Sequence, residues 1–507
     1  MNQKTINPGL VSAILIGVAV LLLTVLPIRI EIGLPVVEAQ ETPVPGAQAV
    51  AEAAAPTIVE YTLRTVLGQT PPMAFQGIGG SIDGQVNPQL SANVGDTVRL
   101  TVINGDPVAH DLMITEFNVT TGQMIEDEQS VTLEFVVTTP GDFVYFCSLP
   151  GHREIGMYGT LRVTGTVEGG ERTELTAAQG SAHELPAPTI EPAAADAVSI
   201  VRSPADVPPP VGDRDPMTVR VDMNTQEVTG VLADGTTFNY FTFDGKVPGP
   251  MLRVRVGDTV DFHLHNDPTS LFPHSIDLHS VTGPGGGAVY TQTLPGGETS
   301  FTFQALNPGL YVYHCATASI PHHISSGMYG LVLVEPPGGL PPVDREFYVM
   351  QGDIYTEFPY GTAGHQPFSA AHMSHEDADY LVFNGAVGGL TSDENALRAN
   401  VGETVRIYFG VGGPNYTSSF HVIGEIFDRV YENASITSEP LTNVQTTLVP
   451  TGGATIVEFT VDVPGRYILV DHSLSRLERG LAAYLIVEGE DQPAIFHGDT
   501  LSESSGH

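Results

Sequence analysis

Apolar and polar residues alternate along the chain in many short runs, which is the pattern of half-buried β-strands. Three of these runs share one motif: VGDTVRLTV begins at Val94, VGDTVDFHL at Val256 and VGETVRIYF at Val401. Each copy is followed by a second alternating run that leads into a turn, and then by an apolar closing strand. The copies are separated by domain-sized intervals. The pattern therefore predicts an all-β chain of three Greek-key β-sandwich domains in tandem.

Segments of low complexity mark the domain boundaries. Residues 40–56 and 166–215 are rich in Pro and Ala and are predicted to be linkers, the second extended and semi-rigid. The three sandwiches are then expected at 57–165, 216–337 and 338–489, with a tail at 490–507.

The N-terminus carries a targeting segment. Lys4 precedes an apolar run from Leu10 to Leu26, and a small-residue cleavage site ends at Ala39. The run is long for a signal peptide and slightly short for a spanning helix. Residues 1–39 are therefore expected to be a signal peptide or a membrane anchor. Either role predicts export to the periplasm or another extracytoplasmic location.

Charge and cysteine content narrow the class of protein. The net charge of −38 disfavours contact with phosphate backbones, so no nucleic-acid partner is expected. Two cysteines exclude a scaffold held by several disulfides, whereas 17 histidines raise the question of metal binding.

The first repeat contains the ligand set of a blue-copper, or type 1, site. Cys147, His152 and Met157 share one loop in FCSLPGHREIGMYG, and His110 lies upstream in VAHDLMI. One thiolate, two imidazoles and a weak thioether are typical of blue-copper electron-transfer sites. The alternative, a structural cysteine with incidental neighbours, must treat three ligand types in one loop as coincidence.

The second repeat carries the same set. Cys315 lies in HCATASIPHHISSGMYG, with Met328 in the same segment and His274 upstream in FPHSIDLHS. His322 and His323 compete for the remaining position. His323 is preferred because its spacing to Met328 equals that of His152 to Met157 in the first repeat.

A second kind of metal site is predicted beside Cys315. Adjacent side chains in a strand point to opposite faces, so His314 must face away from the blue-copper centre. His279 is expected to do the same, and His472, in LVDHS of the third repeat, is a candidate third ligand. The first repeat has Phe146 and Thr115 at the positions of His314 and His279, which predicts one copper there and no chemistry.

Residues 216–489 closely resemble the copper-containing nitrite reductases, which are two-domain cupredoxin enzymes that act as homotrimers. The resemblance is carried by HSIDLHS, HCATASIPHHISSGMYG, FHVIGEIFD and LVDHS, and the Cys315–His323 spacing is similar to that of the branch with the shorter loop. Residues 57–165 resemble an additional N-terminal cupredoxin. All three domains are therefore expected to be cupredoxin-like.

The resemblance implies a role for each matching residue. His274, Cys315, His323 and Met328 would bind type 1 copper, and His279, His314 and a neighbouring subunit's copy of His472 would bind type 2 copper. Asp277 and His421 would be the catalytic acid/base pair, and Ile423 would cap the substrate pocket. The implied activity is dissimilatory reduction of nitrite to nitric oxide, with about three coppers per chain and an external electron-donor protein.

Two other functions remain open at this stage. A multicopper oxidase needs several His-x-His pairs, and His263-Leu264-His265 is the only one near the metal motifs. A non-catalytic carrier with two blue coppers would leave Asp277, His279 and His314 without a role. Copper content separates the carrier, with two coppers, from the reductase, with three.

Overall fold

The computed structural model describes the following residues: 57–67, 71, 73–106, 108–149, 152–153, 156–165, 190–317 and 319–498. The predicted targeting segment, the linker at 40–56 and the first part of the second linker lie outside them. Among the described residues, no helix has both the length and the apolar character needed to cross a membrane.

Three pairs of packed β-sheets follow one another along the chain, which confirms the all-β, cupredoxin-like prediction. In each pair, an early strand runs parallel to the strand formed by the repeated motif, as β1 (Ile58–Leu67) does with β4 (Thr97–Ile103). The β4 strand alternates buried and half-buried residues, with Val98, Leu100 and Val102 directed into the core. The alternation read from the sequence therefore corresponds to the two faces of each sheet.

The first sandwich has sheets ordered β2-β1-β4-β7 and β3-β9-β8-β5-β6. Its described strands are β1 Ile58–Leu67, β2 Met73–Gly77, β3 Leu90–Asn93, β4 Thr97–Ile103, β5 Met113–Ile114, β6 Val119–Thr120, β7 Ser130–Val136, β8 Gly141–Phe146 and β9 Tyr158–Thr164.

The second sandwich has sheets ordered β15-β13-β10-β11-β19 and β12-β17-β16-β14. Its described strands are β10 Thr218–Ala233, β11 Thr236–Phe243, β12 Leu252–Arg255, β13 Thr259–Asn266, β14 Asp277–Leu278, β15 Glu298–Gln304, β16 Gly309–His314, β17 Tyr329–Glu335 and the added β19 Gly364–Gln366.

The third sandwich has sheets ordered β20-β18-β22-β26-β24 and β21-β28-β27-β23-β25. Its described strands are β18 Arg345–Ile354, β20 Tyr380–Phe383, β21 Leu397–Asn400, β22 Thr404–Gly413, β23 Ser418–Ile423, β24 Arg429–Tyr431, β25 Thr446–Val449, β26 Ala454–Thr460, β27 Gly465–Asp471 and β28 Ala483–Glu488.

Helices are few and short in the described part of the chain. The α-helices are α1 Ile320–Ser325 and α2 Ala370–Ser374, and the 3-10 turns are Gly80–Ile82, Thr115–Phe117, Pro284–Tyr290, Glu432–Ala434 and Leu474–Arg479.

The second and third sandwiches are joined by backbone pairing and by a shared core. Strand β19 follows the second sandwich in sequence but pairs in parallel with β11. Strand β22 is buried along nearly its whole length, and a Cβ at Gly410 would lie 2.8 Å from the Leu331 side chain. The later part of the predicted linker also packs here, since Val198 bridges to Gly230.

Buried ion pairs cross this junction. Arg253 of the second sandwich donates to Glu335 at 2.5 Å and to Glu346 at 2.8 Å. Arg406 of the third sandwich donates to the same Glu346 at 2.9 Å and to Glu458 at 2.5 Å. Both guanidinium groups are only 2% exposed, so each depends on these carboxylates for compensation of its charge.

Candidate metal centres

The first sandwich brings the predicted blue-copper residues to one buried point. His110 Nδ1 lies 3.2 Å from His152 Nδ1, and Cys147 Sγ lies 3.3 Å from the same His152 atom. All three residues are fully buried. Met157 is held in the same loop, because its amide donates to the His152 carbonyl and its carbonyl accepts from the Cys147 amide.

The second sandwich repeats this geometry closely. His274 Nδ1 lies 3.2 Å from His323 Nδ1, and Cys315 Sγ lies 3.4 Å from that nitrogen. Met328 makes the same two backbone hydrogen bonds, to His323 and from Cys315. His323 rather than His322 approaches the sulfur. The His322 ring instead stacks on Phe368, with centroids 3.9 Å apart.

The donor atoms of both sites fit a soft metal ion. Burial raises the pKa of the Cys315 thiol and lowers the pKa of His274 to about 3, so the imidazole stays neutral and able to bind metal. A backbone N–H also points at each sulfur, from Asp111 to Cys147 at 3.5 Å and from Ser275 to Cys315 at 3.4 Å. Two imidazoles and a thiol that converge in a buried pocket match the ligand preference of copper.

A carboxylate lies close to the upstream histidine of each candidate blue-copper site, a feature that the sequence did not predict. Asp106 Oδ1 lies 3.1 Å from His110 Nε2, and Glu227 Oε1 lies 3.5 Å from His274 Nε2. Glu227 is held by the backbone N–H groups of Leu271 and Phe272, each at 2.8 Å, and burial raises its pKa to about 7. Such partners orient a ligating imidazole. Asp106 lies four residues before His110, but Glu227 is distant in sequence.

A third cluster lies on the outer side of strand β16. His314 Nε2 is 3.1 Å from His279 Nε2, and a carboxylate oxygen of Asp277 lies within 4.8 Å of both ligand atoms. His314 directly precedes Cys315, whose sulfur belongs to the blue-copper site. The His314 Nδ1 donates to the Cys315 carbonyl at 3.0 Å, which fixes the ring with Nε2 towards His279.

Asp277 is positioned by a neighbouring glycine turn. Asp277 pairs with His314 across strands β14 and β16. Gly286 has φ of +54°, and a Cβ at this position would lie 1.9 Å from Asp277 Oδ1. Only glycine fits both requirements, because the backbone is left-handed and the carboxylate occupies the space of a side chain.

The remaining predicted residues form a separate group on the third sandwich. The His421 and His472 rings lie 5.5 Å apart, and Ile423 is two residues further along strand β23. His421 Nδ1 donates to the Gln445 carbonyl at 2.6 Å, which leaves Nε2 available. His472 is exposed and does not join the Asp277–His279–His314 cluster within one chain.

The histidines of the His-x-His pair have local polar partners. His263 contacts Glu298 at 2.8 Å and Asp261 at 3.2 Å, and His265 contacts Asp222 at 3.1 Å. The His-x-His pair is therefore engaged by carboxylates on its own sheet.

Comparison with known proteins assigns the family. Two family models described as multicopper oxidase match residues 224–339 and 363–491. A copper-containing nitrite reductase of Neisseria meningitidis serogroup B is 55% identical over 57% of this chain and 73% of its own length. The enzyme of the same name from Neisseria gonorrhoeae is 54% identical over 59% of this chain and 76% of its own. This chain belongs to the copper-containing nitrite reductase family.

More distant members of the family match a similar share of the chain. The enzyme from Alcaligenes xylosoxydans xylosoxydans is 37% identical over 54% of this chain and 88% of its own length. A solved copper nitrite reductase from Nitrosomonas europaea is 34% identical, covers 54% of this chain and 96% of its own, and has a TM-score of 0.48.

Proposed function

We propose that this protein reduces nitrite to nitric oxide: nitrite takes up one electron and two protons and yields nitric oxide and water. The observation that carries the proposal is the adjacency of His314, the last residue of strand β16, and Cys315, which follows it. Cys315 belongs to a buried sulfur-containing site suited to electron transfer, whereas His314, the residue before it, belongs to a partly exposed histidine cluster suited to binding a substrate.

Two type 1 coppers are proposed, with four protein ligands each. The N-terminal copper would be held by His110, Cys147, His152 and Met157, and the catalytic-unit copper by His274, Cys315, His323 and Met328. Their burial supports electron transfer rather than substrate binding, because a fully enclosed ligand set changes little with oxidation state and offers no open position to substrate.

A type 2 copper is proposed at His279 and His314, with the partner subunit's His472 as third ligand. The separation of these histidines within one chain supports this arrangement. His472 is exposed beside His421 on the third sandwich, while His279 and His314 face outwards from the second. Joining the two groups in a homotrimer would complete a three-histidine site that leaves one position open.

When bound there, copper would supply a cation that attracts the anionic substrate and relays the electron. The protein side chains would manage the protons. Asp277, fixed by Gly286, and His421, fixed through its Nδ1, would each face the substrate and deliver a proton to the oxygen that leaves as water. Ile423 would cap the pocket and restrict its size.

Export is part of the proposal. The apolar N-terminal segment would carry the protein to the periplasm or keep it tethered there, where an external electron-donor protein would reduce it. The acidic surface implied by the net charge of −38 favours a donor with a basic contact face.

The test is anaerobic turnover of the copper-loaded protein with nitrite and an artificial one-electron donor. The proposal predicts about three coppers per chain and one nitric oxide for each electron consumed. Two coppers per chain in fully loaded protein, without nitric oxide, would support the electron carrier instead. Oxygen consumption without nitric oxide formation would support an oxidase, the activity named by the matching family models.

A further inference from the structure

The two buried His–Cys–His sites of one chain both have a histidine against the ring of Phe272. Phe272 of the second sandwich lies against His152 of the first, with ring centroids 4.9 Å apart and planes at 68°. Phe272 also lies 5.9 Å from His323, the corresponding candidate ligand of the second site. Phe272 itself is only 1% exposed.

Each of these two imidazoles has one ring nitrogen without a hydrogen-bond partner in the described structure. The Nε2 atoms of His152 and His323 are both buried and lack a hydrogen-bond partner in the described structure. These are the ring edges opposite the Nδ1 atoms that converge on the cysteines. A buried imidazole nitrogen without a polar partner costs free energy, and His274 Nε2, 3.5 Å from the Glu227 carboxylate, also lacks a hydrogen bond in the described structure.

The ring is held firmly in place. The Phe272 N–H donates to Glu227 at 2.8 Å, and Phe241 packs against Phe272 with centroids 5.0 Å apart. His322 flanks it at 6.1 Å and is itself stacked on Phe368. These contacts hold the Phe272 ring at a fixed position between its neighbours.

We propose that the two type 1 sites form an internal electron relay through His152, Phe272 and His323. In the transfer, one electron leaves the reduced N-terminal site and reduces the oxidised catalytic-unit site, with no bond made or broken and no proton moved. The additional domain then acts as a docked electron store for each catalytic unit. This inference rests on the proposed copper occupancy of both sites.

The experiment uses copper-loaded, full-length protein without nitrite. A pulse of radiolytically generated radical reductant introduces less than one electron per chain, and absorbance with freeze-quench EPR follows the electron. Cys147→Ser and Cys315→Ser variants provide the reference spectra of each blue site alone. The relay predicts a first-order redistribution between the sites, at a rate independent of protein concentration.

Phe272→Leu should slow this redistribution several-fold while both blue EPR signals keep their wild-type form. Phe303→Leu, the same change at a half-buried ring elsewhere in the second sandwich, should leave the rate unchanged. The proposal is overturned if the wild-type protein shows no redistribution, if the rate rises in proportion to protein concentration, or if Phe272→Leu retains the wild-type rate. Because nitrite is absent, these outcomes are independent of whether the protein reduces nitrite.

Discussion

The side chains of His314, the last residue of strand β16, and of Cys315, which follows it, enter two different clusters. Cys315 Sγ lies 3.4 Å from His323 Nδ1 inside the sandwich, whereas His314 Nε2 lies 3.1 Å from His279 Nε2 on its outer side. A single peptide bond therefore joins the two clusters. The cluster of Cys315 is buried and suited to electron transfer, and the cluster of His314 lies on the outer side and is suited to binding a substrate. The two clusters are coupled by covalent structure rather than by a flexible contact.

Loss of His472 should affect the type 2 copper and leave both type 1 coppers bound. His472→Ala should remove the type 2 copper and abolish nitrite reduction, because two histidines remain where the site needs three. Both type 1 EPR signals should persist, because neither buried site includes His472. Copper analysis with EPR provides the measurement, and His375→Ala, at an exposed loop histidine, should retain all the copper. Full retention of type 2 copper in His472→Ala would contradict the ligand assignment.

Asp277 is expected to deliver protons and not to be needed for copper binding. Asp277→Asn should keep all three coppers and lower turnover by about 100-fold or more, the usual contribution of a positioned acid or base. Gly286→Ala should also lower turnover, because the added Cβ would displace the carboxylate. Steady-state kinetics and copper content distinguish these effects, with Asp393→Asn as the exposed control. Unchanged turnover in Asp277→Asn would refute the assigned role.

The buried ion-pair network at the junction of the second and third sandwiches should make a large contribution to stability. Arg406→Ala leaves Glu458 without its buried partner and Glu346 with Arg253 as its remaining buried cation, and it should destabilise the protein by about 3–5 kcal/mol. The matched change Arg398→Ala, at an exposed guanidinium, should cost at most about 1 kcal/mol. Denaturant unfolding of the copper-free variants measures both. Similar midpoints for the two variants would show that the buried pairs contribute little.

Acid should weaken the pairing of Glu403 with Arg345. The Arg345 guanidinium, which donates two hydrogen bonds at 2.8 Å, lowers the pKa of Glu403 from 4.5 to about 2. A carboxylate with a lowered folded-state pKa stabilises the protein above its ordinary pKa and loses that effect as pH falls through the folded value. Glu403→Gln should therefore cost up to about 1 kcal/mol at pH 7 for this partly exposed pair.

The stability difference between Glu403→Gln and the wild-type protein should narrow as the pH falls from 4.5 towards 2. Denaturant midpoints across that range provide the test, with Glu478→Gln at an exposed position as the control. A pH-independent difference would show that the charge of Glu403 is not the cause.

The features that local pattern determines were predictable from the sequence. Strand alternation separates His314 from Cys315, and the matched spacing to methionine selects His323 over His322. Both arguments depend only on residues close together in the chain, where strand and loop geometry leave few alternatives. The three-sandwich architecture follows in the same way from the repeated motif and its alternation.

Features that depend on distant residues were not predictable. Glu227 meets His274, and Phe272 meets His152, through the packing of separate strands and separate sandwiches. Strand β19 joins a sheet built from an earlier part of the chain, which no local pattern indicates. These contacts involve ordinary residue types without a motif, and only the folded structure brings them together.

The most direct test of the central claim is EPR of the copper-loaded protein before and after addition of nitrite. The account predicts type 1 signals together with a type 2 signal, and a change with nitrite confined to the type 2 signal. That result would place the substrate at the copper of His279 and His314. Type 1 signals alone, unchanged by nitrite in protein shown to be fully loaded with copper, would contradict the account.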